Sequence, residues 1–226
     1  MNPIRIACIS DTHGKHGQLI IPDDIDILLH AGDFTGSGQI WETKEFMHWF
    51  NKQEAPYKIF ISGNHDFMDQ DHPAMFKELL KEYPNITYLR DEGTTVEGIK
   101  IWGRPWTPEF YEWAFMADRG SSKMLSTIDV IPSDTDIILT HGPVYGILDK
   151  TKAGELVGCQ DLKNFLEDGK CKPKALVVGH IHESAGYVRD EHDILHVNAA
   201  VLNERYINSN KPIVLEYYEN GRIIVL

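Results

Sequence analysis

Three cysteines in 226 residues, Cys8, Cys159 and Cys171, are too few and too unevenly spaced for a disulfide framework or a thiolate metal site. Their odd number fits a reducing compartment. Long apolar runs are missing as well. The opening stretch, Met1 to Ile9, breaks into polar residues too soon for a signal-peptide core or a membrane span, so a cytoplasmic protein without membrane contact is expected. Positive charge is the third scarcity: 22 Lys+Arg against 34 Asp+Glu leave a net −12, with no basic stripe. Such a chain repels long nucleic acids and anionic membranes, and any phosphate it binds must be met by a local device, of which a metal is the obvious candidate. Repeats, low-complexity stretches and Pro/Gly/Ser linkers are absent, and residues 1–226 read as one domain of ordinary globular composition.

What is present is a series of short apolar runs separated by longer amphipathic stretches, the pattern of an α/β layered domain. Strands are expected at residues 4–10, 25–30, 57–62, 86–89, 94–96, 99–102, 136–140, 175–179, 194–198, 213–217 and 222–225. Helices are expected at 39–52, where Ile40, Phe46, Met47, Trp49 and Phe50 recur near helical spacing, and at 73–82, 121–130 and 159–166. Two sheets packed face to face with helices outside is the arrangement this implies.

Eleven histidines mark where chemistry concentrates. In five places an apolar run stops at a Gly-rich or polar turn: Asp11-Thr12-His13-Gly14, Gly32-Asp33, Gly63-Asn64-His65-Asp66, His141-Gly142 and Gly179-His180-Ile181-His182. Turns at the carboxyl ends of strands are where α/β sheets bind ligands, so separated stretches can converge on one crevice. In extended backbone, residues i and i+2 point the same way, so Asp11 with His13, and His180 with His182, can each aim two side chains at one site. Asp11, His13, Asp33, Asn64, His141, His180 and His182 supply two carboxylates, one amide oxygen and four imidazoles. Seven donors are too many for one ion that must also hold water, and they suit two ions sharing a carboxylate. Hard oxygens mixed with imidazole and no thiolate suit Mn, Fe, Zn, Ni or Co.

The ordered set Asp-x-His, Gly-Asp, Gly-Asn-His-Asp, Thr-His-Gly and Gly-His-x-His resembles the calcineurin-like metallophosphoesterase superfamily. The stretches from Trp102 through Trp106 to Arg119-Gly120, His141-Gly142-Pro143 onward to Cys159, and Asn198-Ala199-Ala200 are similar to its small metallophosphoesterase-domain-containing group and microbial relatives. That resemblance implies a four-layer αββα sandwich of two mixed β-sheets flanked by helices. It also implies one ion held by Asp11, His13, Asp33 and His182, and a second by Asp33, Asn64, His141 and His180, with Mn foremost and Asp33 the bridge. His65 maps to the proton or hydrogen-bond donor, with Asp66 placed to orient it. The function implied is a phosphodiesterase in which a metal-bridging hydroxide attacks small phosphodiesters, cyclic nucleotides (2′,3′ or 3′,5′) foremost. A phosphomonoesterase or protein phosphatase, or a non-catalytic metal-binding scaffold, are the alternatives.

Outside these blocks, His30 reads as a packing or supporting residue, His196 as a core histidine, and His16, His48, His72 and His192 as surface residues. Arg104 is a candidate phosphate contact. In the aromatic stretch 102–115, base stacking by Trp106 or a neighbour competes with simple packing under a loop.

Overall fold

The computed structural model describes residues 2–226 and places them in fourteen strands and five α-helices. In chain order these are β1 (Ile4–Ile9), β2 (Ile27–His30), α1 (Ile40–Asn51), β3 (Tyr57–Phe60), α2 (Phe67–Asp71), α3 (Pro73–Leu80), β4 (Thr87–Tyr88), β5 (Glu92–Val96) and β6 (Ile99–Arg104). There follow β7 (Thr107–Pro108), β8 (Met116–Ala117), α4 (Ser122–Ile128), β9 (Ile137–Thr140), α5 (Gln160–Glu167), β10 (Ala175–Val178), β11 (Gly186–Arg189), β12 (Leu195–Asn198), β13 (Ile213–Tyr217) and β14 (Ile223–Val225).

Two six-stranded mixed sheets result, ordered β14-β13-β1-β2-β3-β4 and β11-β12-β10-β9-β6-β5, with β7 and β8 as a separate pair. The central strands run parallel and are buried on both faces, so their sequences are continuous apolar runs rather than alternating ones. Alternate residues still divide between two cores. Ile6, Cys8, Ile27, Leu29 and Ile59 of the first sheet meet Ile101, Ile137, Leu139, Val177 and Val197 of the second in the layer between them. Ala7, Ile9, Leu28 and Phe60 point outward onto Phe46 and Phe50 of α1 and Phe76 of α3. Ile138, Leu176 and Val178 point the other way onto Met124 of α4 and Leu162 and Phe165 of α5. This is the four-layer αββα order, in the α/β class.

Local signals account for the helix starts. Glu42 in the first turn of α1 accepts the N–H groups of Gly36, Ser37 and Gln39. Pro73 opens α3, and Ser121 Oγ caps α4 by accepting the Met124 N–H. Three elements lie outside the expected set: α2, the β7–β8 pair and the edge strand β11. β11 is Gly-Tyr-Val-Arg with three of four residues exposed, so burial leaves no apolar pattern on it, and antiparallel pairing to β12 alone defines it.

Candidate metal centre

The connections leaving the carboxyl ends of β1, β2, β3, β9 and β10 carry the five polar blocks, and main-chain bonds weave them together. Asp11 and His13 donate to the carbonyls of Gly32 and Asp33 (both 3.0 Å), and Gly179 donates to His141 O (3.0 Å). Side chains extend the weave. The His180 N–H reaches both carboxylate oxygens of Asp11 (3.0 and 2.9 Å), and the His65 N–H reaches Asp33 Oδ1 (2.8 Å). Asp11, His13, Asp33 and His180 all have left-handed backbone, with φ of 56°, 41°, 56° and 71°. Such conformations cost about 1–3 kcal/mol each and persist only where the surroundings enforce them, typically at functional sites. Two glycines are required by close approach: a Cβ on Gly179 would collide with Asp11 Oδ2, and one on Gly63 would collide with Asp33 Oδ1.

The structure brings all seven expected donors together. Ligating atoms of Asp11, His13 and His182 lie within 4.8 Å of one another, as do those of Asp33, His141 and His180. Asn64 Oδ1 sits 2.9 Å from His141 Nε2. A third such grouping joins His13, Asp33 and His65.

Whether these residues suit a cation can be decided from the imidazoles. His13, His141 and His182 direct Nδ1 at the carbonyls of Thr35 (3.2 Å), Ala31 (2.7 Å) and Asn203 (3.0 Å). A carbonyl only accepts, so each Nδ1 carries the proton, and a neutral ring then presents a bare lone pair at Nε2. Those lone pairs face other acceptors: His13 Nε2 lies 3.3 Å from His182 Nε2, and His141 Nε2 lies 3.3 Å from Asp33 Oδ1. Acceptors converging on acceptors need positive charge between them, and divalent ions fit. With protons alone to serve, burial pulls the His141 and His182 rings down, but Asp33 and Asp11 respectively outweigh it and lift both to about 9. His13 and His180, where burial prevails over the carboxylates, fall to about 4 and about 3. The Asp11 and Asp33 carboxyls are buried, which would raise them, yet His182 and His141 hold them well below the usual range.

His65 donates from Nδ1 to Gly36 O (2.8 Å), and its ring packs against His13 (centroids 4.6 Å apart, rings nearly perpendicular) and Trp113 (4.3 Å, tilted by 32°). Asp66 does not orient that ring, contrary to the sequence expectation. Its buried carboxylate accepts the N–H groups of Asp33, Gly63 and Thr35 (2.9, 2.7 and 3.0 Å), so it shapes the loops around the site. Burial, and after it the charge of Asp33, push Asp66 up to about 8.

Three further expectations are corrected. Arg104 is wholly buried and bonds Thr140 Oγ1 (3.1 Å) and Thr127 Oγ1 (2.9 Å), so it cannot meet substrate. Trp106 packs in the core beneath α4 with Nε1 on Asp91 (2.7 Å). The cleft over the metal donors, about 670 Å³, is lined instead by Phe110, Tyr111, Trp113, Arg119 and Tyr206. Trp113 lies in the connection from β7 to β8, and that pairing, not any local signal, separates it from Trp106. His16 is buried between Phe46 and Trp49 rather than exposed. His30 accepts the Gly32 N–H at Nδ1 (3.2 Å) and faces Thr12 Oγ1 through Nε2 (3.1 Å), which ties the Asp11–His13 turn to Gly32-Asp33. His196 is buried against Asp190 (2.9 Å).

Comparison with known proteins agrees with this geometry. A family model described as calcineurin-like phosphoesterase matches residues 4–184. Metallophosphoesterase domain-containing protein 1 of Homo sapiens is 37% identical across 94% of this chain and 70% of its own length. The UPF0046 protein C25E10.12 of Caenorhabditis elegans is 34% identical across 95% of this chain and 81% of its own. The crystal structure of TT1561 from Thermus thermophilus shares the fold, with a TM-score of 0.68 at 14% identity, covering 99% of this chain and 98% of its own. The chain belongs to the calcineurin-like phosphoesterase family.

Proposed function

We propose that this centre holds two divalent transition-metal ions and hydrolyses small phosphodiesters, cyclic nucleotides foremost. Asp33 carries the proposal: its Oδ2 lies 3.7 Å from His13 Nε2 and its Oδ1 lies 3.3 Å from His141 Nε2, so one carboxylate is common to both donor groups. Asp11, His13, Asp33 and His182 would hold one ion, and Asp33, Asn64, His141 and His180 the other, with Mn first among Mn, Fe, Zn, Ni and Co. Bound there, the ions supply Lewis acidity toward water and positive charge toward the phosphoryl oxygens.

The chain's own residues supply the rest. His65, with its Nδ1 proton committed to Gly36, can donate from Nε2 to a leaving oxygen in its doubly protonated, imidazolium form. Phe110, Tyr111 and Trp113 give the cleft apolar walls on which a nucleobase can stack. Arg119 is braced through Nε and Nη2 on the carbonyls of Val157 and Gly158, which leaves Nη1 for a substrate oxygen. The net charge of −12 favours small substrates over long nucleic acids. No helix is long and apolar enough to cross a membrane among the described residues. All three cysteines are free and buried, which supports a reducing, cytoplasmic setting.

The test is turnover by the Mn-loaded protein of bis(p-nitrophenyl) phosphate, p-nitrophenyl phosphate and a cyclic-nucleotide panel beside Asp33→Asn. Diester hydrolysis that Asp33→Asn abolishes is the expected result. Faster monoester hydrolysis overturns the diester assignment, and no turnover with metal content verified overturns the enzyme.

A further inference from the structure

The half of the centre built by Asp11, His13 and His182 is closed by a turn that lies beyond the region the family model matches, and the turn is locked to both histidines. Its first residue, Asn203, accepts the His182 Nδ1–H at its carbonyl (3.0 Å) and the Tyr206 N–H at the same oxygen (2.8 Å). The Asn203 side chain accepts the N–H groups of Arg205 (2.9 Å) and Ile207 (3.1 Å), and the Asn203 N–H returns to Ile207 O (2.9 Å). Residues 203–207 therefore form a closed unit that cannot move without rotating the His182 ring. The other anchor is Lys15, two residues after His13, whose ammonium binds the Tyr206 carbonyl.

Within this unit Tyr206 has φ +56°, a left-handed conformation that a bulky residue adopts only when the surroundings impose it. The consequence is that its ring packs at steep angles, 75° and 63°, against both histidines, 4.9 Å from His13 and 5.3 Å from His182 between centroids. Their Nε2 atoms face each other at 3.3 Å on the inner side. The ring is thus a common wall for the two imidazoles, while its outer side belongs to the cleft.

We propose that the Asn203–Ile207 turn is a positioning element for this half of the centre, and that the Tyr206 ring, rather than its hydroxyl, sets how firmly that half retains its ion. The proposal rests on the two-ion reading given above. Outer groups that fix the orientation of a ligating histidine typically govern metal affinity by about 10–100-fold.

The test is the rate of Mn release to excess EDTA from the full-length, Mn-loaded protein, followed by elemental analysis, for wild type, Tyr206→Phe, Tyr206→Ala and Asn203→Ala. Wild type and Tyr206→Phe are expected to release both ions alike. Tyr206→Ala and Asn203→Ala are expected to lose one ion about 10–100-fold faster, with the second released at the wild-type rate. Unchanged circular dichroism verifies that all four are folded. Release from Tyr206→Ala at the wild-type rate overturns the proposal, as does a Tyr206→Phe protein that behaves like Tyr206→Ala, since the hydroxyl would then be the working group. A wild-type chain that binds two ions leaves the phosphodiesterase reading standing in either case; one that binds none overturns both.

Discussion

Thr35 and Asp66 share one hydroxyl proton too few. Thr35 Oγ1 lies 2.9 Å from the carbonyl of His65 and 2.8 Å from Asp66 Oδ1, yet it has a single proton for two acceptors. A proton on Asp66 resolves this: Oδ1–H donates to Thr35 Oγ1, and the Thr35 proton goes to His65 O, which steadies the loop carrying the proposed leaving-group donor. The upward push on Asp66 from burial and from Asp33 agrees with that assignment in the metal-free protein. An amide keeps the donor to Thr35 Oγ1 and the acceptor of the Asp33 and Gly63 N–H groups, and loses only the acceptor of the Thr35 N–H. Asp66→Asn is therefore expected to cost about 1 kcal/mol in metal-free urea unfolding, whereas Asp66→Ala, which strands buried N–H donors, costs about 3 kcal/mol. Equal losses would show that the negative charge is what the loop needs.

Metal-free stability should peak near pH 6.5. His13, His30 and His180 are lowered from 6.5 to about 4, 3 and 3, chiefly by burial, so the unfolded chain takes up protons that the folded one refuses. Their contribution is whole above pH 6.5 and is lost as the pH falls toward those values. Asp66 offsets one of these protons. His141 and His182 are raised to about 9 by Asp33 and Asp11 against the pull of burial, so their contribution is whole below pH 6.5 and is lost as the pH rises through about 9. Asp66 reinforces that limb up to about 8. Urea midpoints in EDTA at pH 5, 6.5 and 8.5 check the peak, and saturating Mn should flatten the alkaline limb by replacing the protons. A midpoint that climbs steadily across the range contradicts the account.

How far the sequence announces this site depends on the range of the signal. Asp11, His13, Asp33, Asn64, His141, His180 and His182 are legible because each ends an apolar run at a turn, a pattern written within three or four residues. The layers are legible because strands buried on both faces are continuous apolar runs. Arg104 and Trp106 mislead because burial of a polar end depends on partners 15 to 36 residues away, namely Asp91, Thr127 and Thr140. Tyr206 carries no local mark: its role comes from a turn reaching back to His13 and His182. His16 reads as polar surface in sequence, and only the packing of α1 buries it.

Because Arg104 serves the core, its loss should be visible in stability and not in substrate affinity. The guanidinium joins the end of β6 to Thr140, the residue before His141, and to Thr127 and Met124 of α4. Arg104→Ala leaves a cavity and strips the buried Thr140 and Thr127 hydroxyls of their donor, and should cost about 3 kcal/mol in urea unfolding. Arg104→Met, which refills the volume, should cost less. In both, KM for bis(p-nitrophenyl) phosphate should stay within about twofold of wild type, whereas loss of a direct phosphate contact would raise it about tenfold.

Trp113 and Trp106 should behave in opposite ways, and the contrast isolates the cleft wall from the core. Trp113 lies over His65 at 4.3 Å and faces the cleft, while Trp106 is held by Asp91 and covered by Lys123, 4.6 Å above its ring. A stacked base contributes about 1–3 kcal/mol through its aromatic partner. Trp113→Ala should therefore raise KM for a cyclic nucleotide by about tenfold or more, with Trp113→Phe recovering most of it and the unfolding midpoint little changed. Trp106→Ala should lower the midpoint by creating a core cavity and leave KM where it was. Since Trp113 also packs on His65, a fall in kcat without a rise in KM would show that its part is to hold that imidazole rather than to carry the base.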